Sequence, residues 1–317
     1  ESIMQSEASG FGNTITWLRA RQELLVVVIG LGMYALILQS SNIEANSIQT
    51  VIVAGLAIIY AAIILWKPMS LPTKKPQPLT WKAFGQAVKI VAAVVLVSTL
   101  VMIFISSPDD EGGSTLGTFL IYVVLMIALG SAGLAAERNL SLDLFPIFRR
   151  HEVSRIIYVL AAAFFLAMLA MFWGNLINEP LTRLGQFFGD IPTNPAEAAE
   201  SFNFDNPFSL LINLLIGAGI FEELLFRVGI LTLVWALTRR FGIGLLVSSL
   251  LFGLYHISPL SGISMYNLPA PISEVLISGL MGAFTGLVYR YRGFSAAVLM
   301  HSLGDWISIL LLAGAMG

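Results

Sequence analysis

Long apolar runs limit what this chain can fold into more than any other feature of its sequence. A transmembrane helix needs about 17 to 25 mostly apolar residues, because a rise of about 1.5 Å per residue must cross about 30 Å of hydrocarbon. The runs are too long and too unbroken for the weak alternation of an outer-membrane β-barrel. The sequence therefore predicts an all-α fold, a polytopic membrane bundle of about nine transmembrane helices, with eight to ten as the range. The nine runs, several of them close to the lower limit of length, are Leu24–Gln39, Val51–Trp66, Lys89–Ile105, Leu116–Ala136, Ile156–Trp173, Phe208–Thr238, Ile243–His256, Val275–Tyr289 and Phe294–Met316.

Charged residues are too few to cover a water-facing surface. Of the 317 residues, 57% are hydrophobic and only 11% are charged, whereas a soluble domain is about 25% charged. The formal net charge of −2 provides no basic surface for nucleic acid. The chain has no cysteine, which excludes disulfides, thiolate nucleophiles and Cys-ligated metal sites. We therefore expect lipid as the main solvent, and chemistry that depends on carboxylates, histidines, hydroxyls or a cofactor.

Lysine and arginine alternate across the predicted helices, and this alternation predicts the orientation. Short cytoplasmic loops retain positive charge. Basic residues precede the first run and follow the second, fourth, sixth and eighth runs, whereas the intervening loops are mostly acidic. This pattern predicts a multi-pass protein of the cell (inner) membrane with a cytoplasmic N-terminus and an external C-terminus. The assignment depends on the sixth run being unbroken and on no run being re-entrant.

Ionisable side chains well inside the apolar runs are confined to the last third of the chain. A charge at the centre of a membrane helix costs at least about 2.5–3.5 kcal/mol on insertion scales, so such a concentration indicates a site. We therefore divide the chain into an N-terminal membrane region with about five transmembrane helices, residues 1–206, and a C-terminal helical core, residues 207–317. The six ionisable residues are Glu222, Glu223, Arg227, His256, His301 and Asp305.

The first group of charges lies in the sequence FEELLFR. Glu223 and Arg227 are four residues apart and share one face of a helix, so Arg227 can neutralise one carboxylate. Glu222 is turned by about 100° from Glu223 and can point elsewhere. A carboxylate in apolar surroundings with a like charge beside it is a candidate general base.

The same spacing recurs on two later runs. Phe252 and His256 are four residues apart, as are His301 and Asp305, so each pair shares a helix face. One reading of all three pairs is that they join helices through polar contacts and perform no chemistry. The other is that three helices present their polar edges to one site.

Glycines near these pairs predict close helix packing. Gly217 and Gly219 precede the two glutamates, Gly282 and Gly286 form a GxxxG motif, and Gly304 adjoins the aspartate. Small residues allow membrane helices to approach one another closely. By themselves they indicate packing and not chemistry.

Three motifs therefore occur in order on successive apolar runs: Glu-Glu-x-x-x-Arg, Phe-x-x-x-His and His-x-x-x-Asp. Together they resemble the CPBP family, which comprises the CAAX-prenyl-protease and bacteriocin-processing (ABI) intramembrane proteins. The resemblance covers roughly Pro207–Trp306, about a third of the chain. It implies a glutamate-dependent intramembrane endopeptidase that needs no metal or other cofactor and acts on membrane proteins or lipidated peptides, prenylated ones among them.

The resemblance also implies a role for each motif position. Glu222 would activate the attacking water with the assistance of His256, while His301 and the residue at position 305 would face the developing oxyanion. The other motif residues, Glu223, Arg227 and Phe252, would complete and support the site.

Asp305 departs from the family pattern. Family members often have asparagine at this position, and an amide can donate a hydrogen bond, whereas an ionised aspartate can only accept one. Asp305 must therefore be protonated, or orient His301, or mark altered chemistry. We favour the orientation of His301.

Three other functions are compatible with the same residues. A non-proteolytic family member acting as a membrane scaffold, immunity factor or assembly subunit would retain the polar pairs for packing. Two histidines with carboxylates can bind zinc, but the HExxH motif is absent and Arg227 would place a positive charge beside the metal. A transporter also has ionisable groups at mid-membrane, but neither a duplicated half nor paired broken helices are visible in the sequence.

Overall fold

The computed structural model describes residues 80–105, 116–140, 180–190, 207–257 and 271–316. Within these ranges every regular element is helical, which confirms the predicted all-α class. The first, second and fifth predicted runs lie outside the described residues, so the count of about nine transmembrane helices stays a prediction. Residues 180–187 form a short helical segment. The other helices are α1 (Trp81–Ile105), α2 (Leu116–Leu140), α3 (Pro207–Leu214, Leu215–Glu222, Leu224–Leu231 and Thr232–Thr238 in succession), α4 (Phe241–His256), α5 (Pro271–Arg292) and α6 (Phe294–Met316).

Four of these helices are long and apolar enough to cross a membrane. Helix α4 is apolar but shorter. On the outer faces of α1 and α2, side chains such as Leu96 and Val124 are more than half exposed, as expected where a helix meets lipid. The described part of the chain is therefore an integral membrane bundle. The four candidate spans are Trp81–Val101, Phe119–Glu137, Phe208–Thr238 and Ile272–Arg292.

Helix α3 is the central element, and it continues from Phe208 to Thr238 without a break. Its two middle segments, Leu215–Glu222 and Leu224–Leu231, are π-helical. Such i→i+5 hydrogen bonding is rare and occurs frequently at functional sites. The two candidate glutamates lie where the two π-helical segments meet. The first segment packs on α6, and the second packs on α2 and α4.

Small residues bring the backbones around α3 close together. A Cβ atom added to Gly133 of α2 would meet the carbonyl oxygen of Val228 of α3, and one added to Gly219 of α3 would meet the Ser302 hydroxyl of α6. Among the glycines that the sequence singled out, Gly219, Gly282 and Gly286 have such neighbours. Gly217 is different, because its added Cβ would meet nothing within 4 Å among the described residues.

The helix ends differ from the ends of the apolar runs. Helix α1 begins at Trp81 and not at Lys89, and the Thr80 hydroxyl accepts a hydrogen bond from the Ala83 amide at 3.2 Å at this end. Helix α5 begins at Pro271 and not at Val275, since proline fits the first turn of a helix. An apolar run stops at its first polar residues, whereas a helix continues through them.

The segment of residues 180–190 is attached to the start of α5. The Asp190 carboxylate accepts hydrogen bonds from the Ser273 amide at 3.0 Å, the Ser273 hydroxyl at 3.1 Å and the Ile272 amide at 3.3 Å. These bonds satisfy amides that the first turn of a helix leaves without partners. The connection fixes the start of α5, the helix that also contributes Thr285 to the site described below.

Candidate active site

The centre of the site is a completely buried ion pair. Arg227 Nε lies 3.1 Å from Glu223 Oε2, and neither side chain is exposed. The guanidinium also donates to the Thr285 hydroxyl through Nε, at 2.9 Å, and through a terminal nitrogen. The other terminal nitrogen lies 3.5 Å from the Ser248 hydroxyl oxygen. The guanidinium carbon lies 4.6 Å from the centroid of the Phe252 ring. A buried charge is tolerated when it is paired and hydrogen-bonded, and both conditions hold for Arg227.

His301 connects this ion pair to the other two carboxylates. Its Nδ1 lies 3.0 Å from Glu223 Oε1, and a carboxylate acceptor at that distance requires a proton on Nδ1. Its Nε2 lies 3.4 Å from Asp305 Oδ2 and 3.8 Å from Glu222 Oε2. The imidazole is therefore surrounded by three carboxylates from α3 and α6.

Glu222 has a different environment from its neighbour. Its side chain is 14% exposed, and Oε2 is buried without a hydrogen bond to any residue that the structure describes. His256, His301 and Asp305 all interact with this carboxylate electrostatically. Both oxygens of Glu223 make close contacts, Oε2 at 3.1 Å with Arg227 and Oε1 at 3.0 Å with His301, whereas the contact of Glu222 Oε2 with His301 is longer, at 3.8 Å.

Phe252 separates and supports the two imidazoles. Its ring centroid lies 4.5 Å from that of His256 and 5.5 Å from that of His301. The Phe252 carbonyl oxygen lies 2.9 Å from His256 Nδ1, so that nitrogen donates and the protons of both imidazoles are directed by fixed acceptors. The structure thus brings all seven residues of the three motifs into one cluster.

Several polar residues of this cluster have no motif to identify them. Ser248 and Thr285 hold the guanidinium, and they are 21 and 58 positions from Arg227 in the chain. Serine and threonine are common in membrane helices as packing residues, so their type alone does not indicate this function. Tyr122 of α2 stacks on Tyr255 of α4, with ring centroids 5.6 Å apart, beside the second motif.

Protein groups offset part of the negative charge of the three carboxylates in the cluster. Arg227 neutralises Glu223, and His301 contacts the remaining carboxylates. Within the described ranges, no three His, Asp or Glu side chains form a group that could hold a metal ion. The arrangement can supply a carboxylate base, two imidazoles and a fixed cation in apolar surroundings.

Comparison with known proteins assigns the C-terminal part of the chain to a type of domain. Residues 204–307 match the family model described as type II CAAX prenyl endopeptidase Rce1-like. The resemblance to the CPBP family is confirmed. This Rce1-like segment (residues 204–307) contains the three motifs, and its similarity supports a membrane endopeptidase with membrane-associated substrates. No curated protein and no solved structure matches the chain.

Proposed function

We propose that the chain is an intramembrane endopeptidase in which Glu222 activates the water that hydrolyses a peptide bond. The observation that carries this proposal is the contrast between two adjacent glutamates. Glu223 Oε2 lies 3.1 Å from Arg227 Nε and Glu223 Oε1 lies 3.0 Å from His301 Nδ1. Glu222 Oε2 is buried, has no hydrogen bond to a described residue and makes only a longer contact of 3.8 Å with His301 Nε2. A base must have a free lone pair within reach of the proton that it removes, and Glu222 meets that requirement.

The reaction begins when Glu222 removes a proton from water. The water oxygen adds to the carbonyl carbon of the peptide bond, and the electron pair of the C=O bond moves onto the carbonyl oxygen. When this tetrahedral intermediate collapses, the C–N bond breaks and the nitrogen takes the proton from Glu222. The products are a new carboxylic acid and a new amine, and the carboxylate of Glu222 is regenerated. The acid then gives its proton to the amine, which leaves a carboxylate and an ammonium group. His256, which interacts electrostatically with Glu222, assists by holding the water.

His301 supplies a donor to the oxyanion. With a proton on each ring nitrogen, it donates to Glu223 through Nδ1 and to the oxyanion through Nε2. Donors that are fixed before the reaction stabilise developing charge in an apolar site. Asp305 lies 3.4 Å from Nε2, which favours its role in orienting the ring. Glu223, Arg227 and Phe252 hold the helices in place.

The expected substrate is a membrane-associated peptide segment, either part of a membrane protein or a lipidated peptide such as a prenylated one. The Rce1-like segment supports this class. In this proposal residues 207–317 form the catalytic core, residues 1–206 form an N-terminal membrane region, and the protein resides in the cell (inner) membrane with its N-terminus in the cytoplasm.

The test uses purified protein and two kinds of peptide. One is a CAAX peptide with a farnesylated cysteine, and the other is an unmodified apolar peptide of about 20 residues, long enough to cross a membrane. We expect the parent protein to cleave at least one of them, and Glu222→Gln to lower kcat by about 10²–10⁴-fold. His256→Ala should also lower kcat. Glu274→Gln is the matched control, because Glu274 bonds to Ser278 on α5 and is expected to leave cleavage unchanged.

Cleavage by Glu222→Gln and His256→Ala at the parental rate would show that this mechanism is wrong. The mutual pairing of Glu223, Arg227 and His301 is also what a non-proteolytic scaffold would preserve. A parent protein that cleaves neither peptide but remains bound in a membrane complex would favour that function. The alternative of a zinc-dependent protease is tested by metal content and chelators, because such an enzyme would contain bound metal and lose activity when the metal is removed.

A further inference from the structure

His256 lies at the very end of its helix, where backbone order is hardest to maintain. It is the last residue of α4, and the last carbonyl groups of a helix have no partners within that helix, so helix ends fray. A misplacement of about 1 Å can lower the rate of a reaction by about 10²-fold. The fold must therefore fix the end of α4 if His256 is to assist Glu222.

Two aromatic rings contact the imidazole of His256. The ring centroid of Phe252 lies at 4.5 Å, and its carbonyl oxygen lies 2.9 Å from Nδ1. The ring of Tyr255 meets the imidazole edge to face, with centroids 5.5 Å apart and planes 89° apart. All three residues belong to α4, so these contacts orient the imidazole on its own helix. Fixing the end of α4 relative to Glu222 requires contacts with other helices.

Tyr255 makes those contacts with two other helices. Its ring packs against Phe226 of α3, with centroids 5.3 Å apart. It also stacks on Tyr122 of α2, with centroids 5.6 Å apart and an interplanar angle of 18°, a favourable geometry for an aromatic pair. The hydroxyl groups of the two tyrosines share a hydrogen bond. Both tyrosines are buried, so the stack is part of the packed interior.

The stack connects the second motif to a helix outside the Rce1-like segment. Phe226 lies on α3, the helix that also carries Glu222, whereas Tyr122 belongs to α2 of the N-terminal membrane region. Helix α2 itself packs on the second π-helical segment of α3. The ring of Tyr255 is therefore fixed by α2 and α3 together, and His256 interacts electrostatically with Glu222 beside it.

We infer that Tyr122 is a positioning residue contributed by the N-terminal membrane region, which holds His256 beside Glu222 by stacking on Tyr255. In this role Tyr122 contacts neither the substrate nor the attacking water, and it acts only through Tyr255 and His256. The inference rests on the proposed function, because it concerns the same base and the imidazole that assists it.

The test replaces Tyr122 by leucine, which removes the stacked ring, and by phenylalanine, which keeps it. On whichever of the two peptides the parent protein cleaves, we expect Tyr122→Leu to lower kcat by about 10-fold. KM should change by less than about threefold, because the contacts with the substrate are intact. Tyr122→Phe should retain kcat to within about threefold of the parent.

A double-mutant cycle with His256→Ala separates positioning from general destabilisation. We expect His256→Ala to retain a residual rate, since Glu222 is intact. If Tyr122 acts through His256, its replacement has no further effect once the imidazole is absent. The double variant should then cleave within about twofold of His256→Ala alone, whereas two independent losses would multiply.

Met126→Ala is the matched control. Met126 is one turn from Tyr122 on α2 and completely buried, so its truncation also removes packing from the interior, but it has no ring to stack. We expect Met126→Ala to lower the midpoint of thermal unfolding in detergent and to keep kcat within about threefold of the parent. If Tyr122→Leu does not fold, Tyr255→Leu removes the same stack from the side of α4 and takes its place in the cycle.

The outcomes separate the two proposals. If Glu222→Gln lowers kcat as expected but Tyr122→Leu cleaves at the parental rate, only the inference about Tyr122 is wrong. It is also overturned if the losses in Tyr122→Leu and His256→Ala multiply, if Met126→Ala loses as much kcat, or if Tyr122→Phe is as slow as Tyr122→Leu. If Glu222→Gln cleaves like the parent, or the parent cleaves neither peptide, the proposed function fails and the inference fails with it.

Discussion

Glu222 and Glu223 are adjacent in the sequence but contribute differently to the stability of the fold. Replacement of Glu223 by glutamine would leave Arg227 buried without its counter-charge, and loss of one partner of a buried pair costs about 3–5 kcal/mol. We expect Glu223→Gln to lower the free energy of unfolding by about that amount. Glu222→Gln should unfold close to the parental midpoint. Denaturant titration in detergent compares the two, and equal midpoints would contradict the assignment of Glu223 to the structural ion pair.

Asp305 provides a second comparison at the level of single residues. In Asp305→Asn the amide oxygen can still lie beside His301 Nε2 and orient the ring, so we expect kcat within about threefold of the parent. Asp305→Ala removes the ion-pair contact of 3.4 Å between Oδ2 and His301 Nε2, and kcat should fall by about 10–100-fold, which corresponds to about 1.4–2.7 kcal/mol. Steady-state cleavage measures both. If Asp305→Asn is as slow as Asp305→Ala, the negative charge is required and orientation alone is the wrong role.

The sequence predicted some of these contacts and not others, for a physical reason. The pairing of Glu223 with Arg227 follows from a four-residue spacing, which a helix converts directly into proximity. The contacts of Arg227 with Ser248 and Thr285 join α3 to α4 and α5. No local pattern encodes a contact between helices, and small hydroxyl residues are common in membrane helices. The same limit applies to the stack of Tyr122 on Tyr255.

Two glycines on α3 allow a test of helix packing. A Cβ added to Gly219 would meet the Ser302 hydroxyl and lie 3.1 Å from a Val298 methyl group, whereas one added to Gly217 would meet nothing within 4 Å. We expect Gly219→Ala to destabilise the protein by about 1–3 kcal/mol, as overpacking does, and to lower kcat because α6 carries His301. Gly217→Ala is the control and should change neither. Thermal unfolding and cleavage measure the pair, and equal effects would contradict the close approach of α3 and α6.

The sequence predicted the existence of these helices better than their form. Apolar runs gave α3 as one long helix, and its continuity from Phe208 to Thr238 agrees with that. The sequence pattern did not predict the π-helical geometry of its middle segments. A run that is apolar on all sides has no hydrophobic periodicity, so it cannot distinguish a π-helix from an α-helix. The same uniformity explains why Gly217 and Gly219 looked equivalent in the sequence.

The whole bundle is more closely joined than the motifs indicated. The resemblance begins near Pro207, so it contains no information about the preceding helices. The structure nevertheless packs α2 on the second π-helical segment of α3, where Gly133 meets the Val228 carbonyl. A helix of the N-terminal membrane region therefore forms one wall beside the site. It follows that the Rce1-like segment, expressed alone, would expose the buried face of α3 that contains Val228.

The orientation of the whole molecule in the membrane is a prediction that the absence of cysteine makes simple to test. A single cysteine can be introduced at Gly242, where an added Cβ meets nothing within 4 Å, or at the exposed Gln186. Arg239 and Arg240 precede Gly242, and basic residues mark the cytoplasmic side. We expect Gly242→Cys to react with a membrane-impermeant maleimide only after the cells are permeabilised, and Gln186→Cys to react in intact cells.

The parent chain is the control, because it has no thiol to label. If only Gly242→Cys is labelled in intact cells, the predicted orientation is wrong and the protein has the opposite one. Labelling of both variants from one side would mean that the bundle crosses the membrane an even number of times between the two positions, contrary to the single crossing by α3. Helix α3 would then have to leave the membrane on the side where it entered, which its unbroken course of 31 residues opposes, since a helix of that length spans about 30 Å or more.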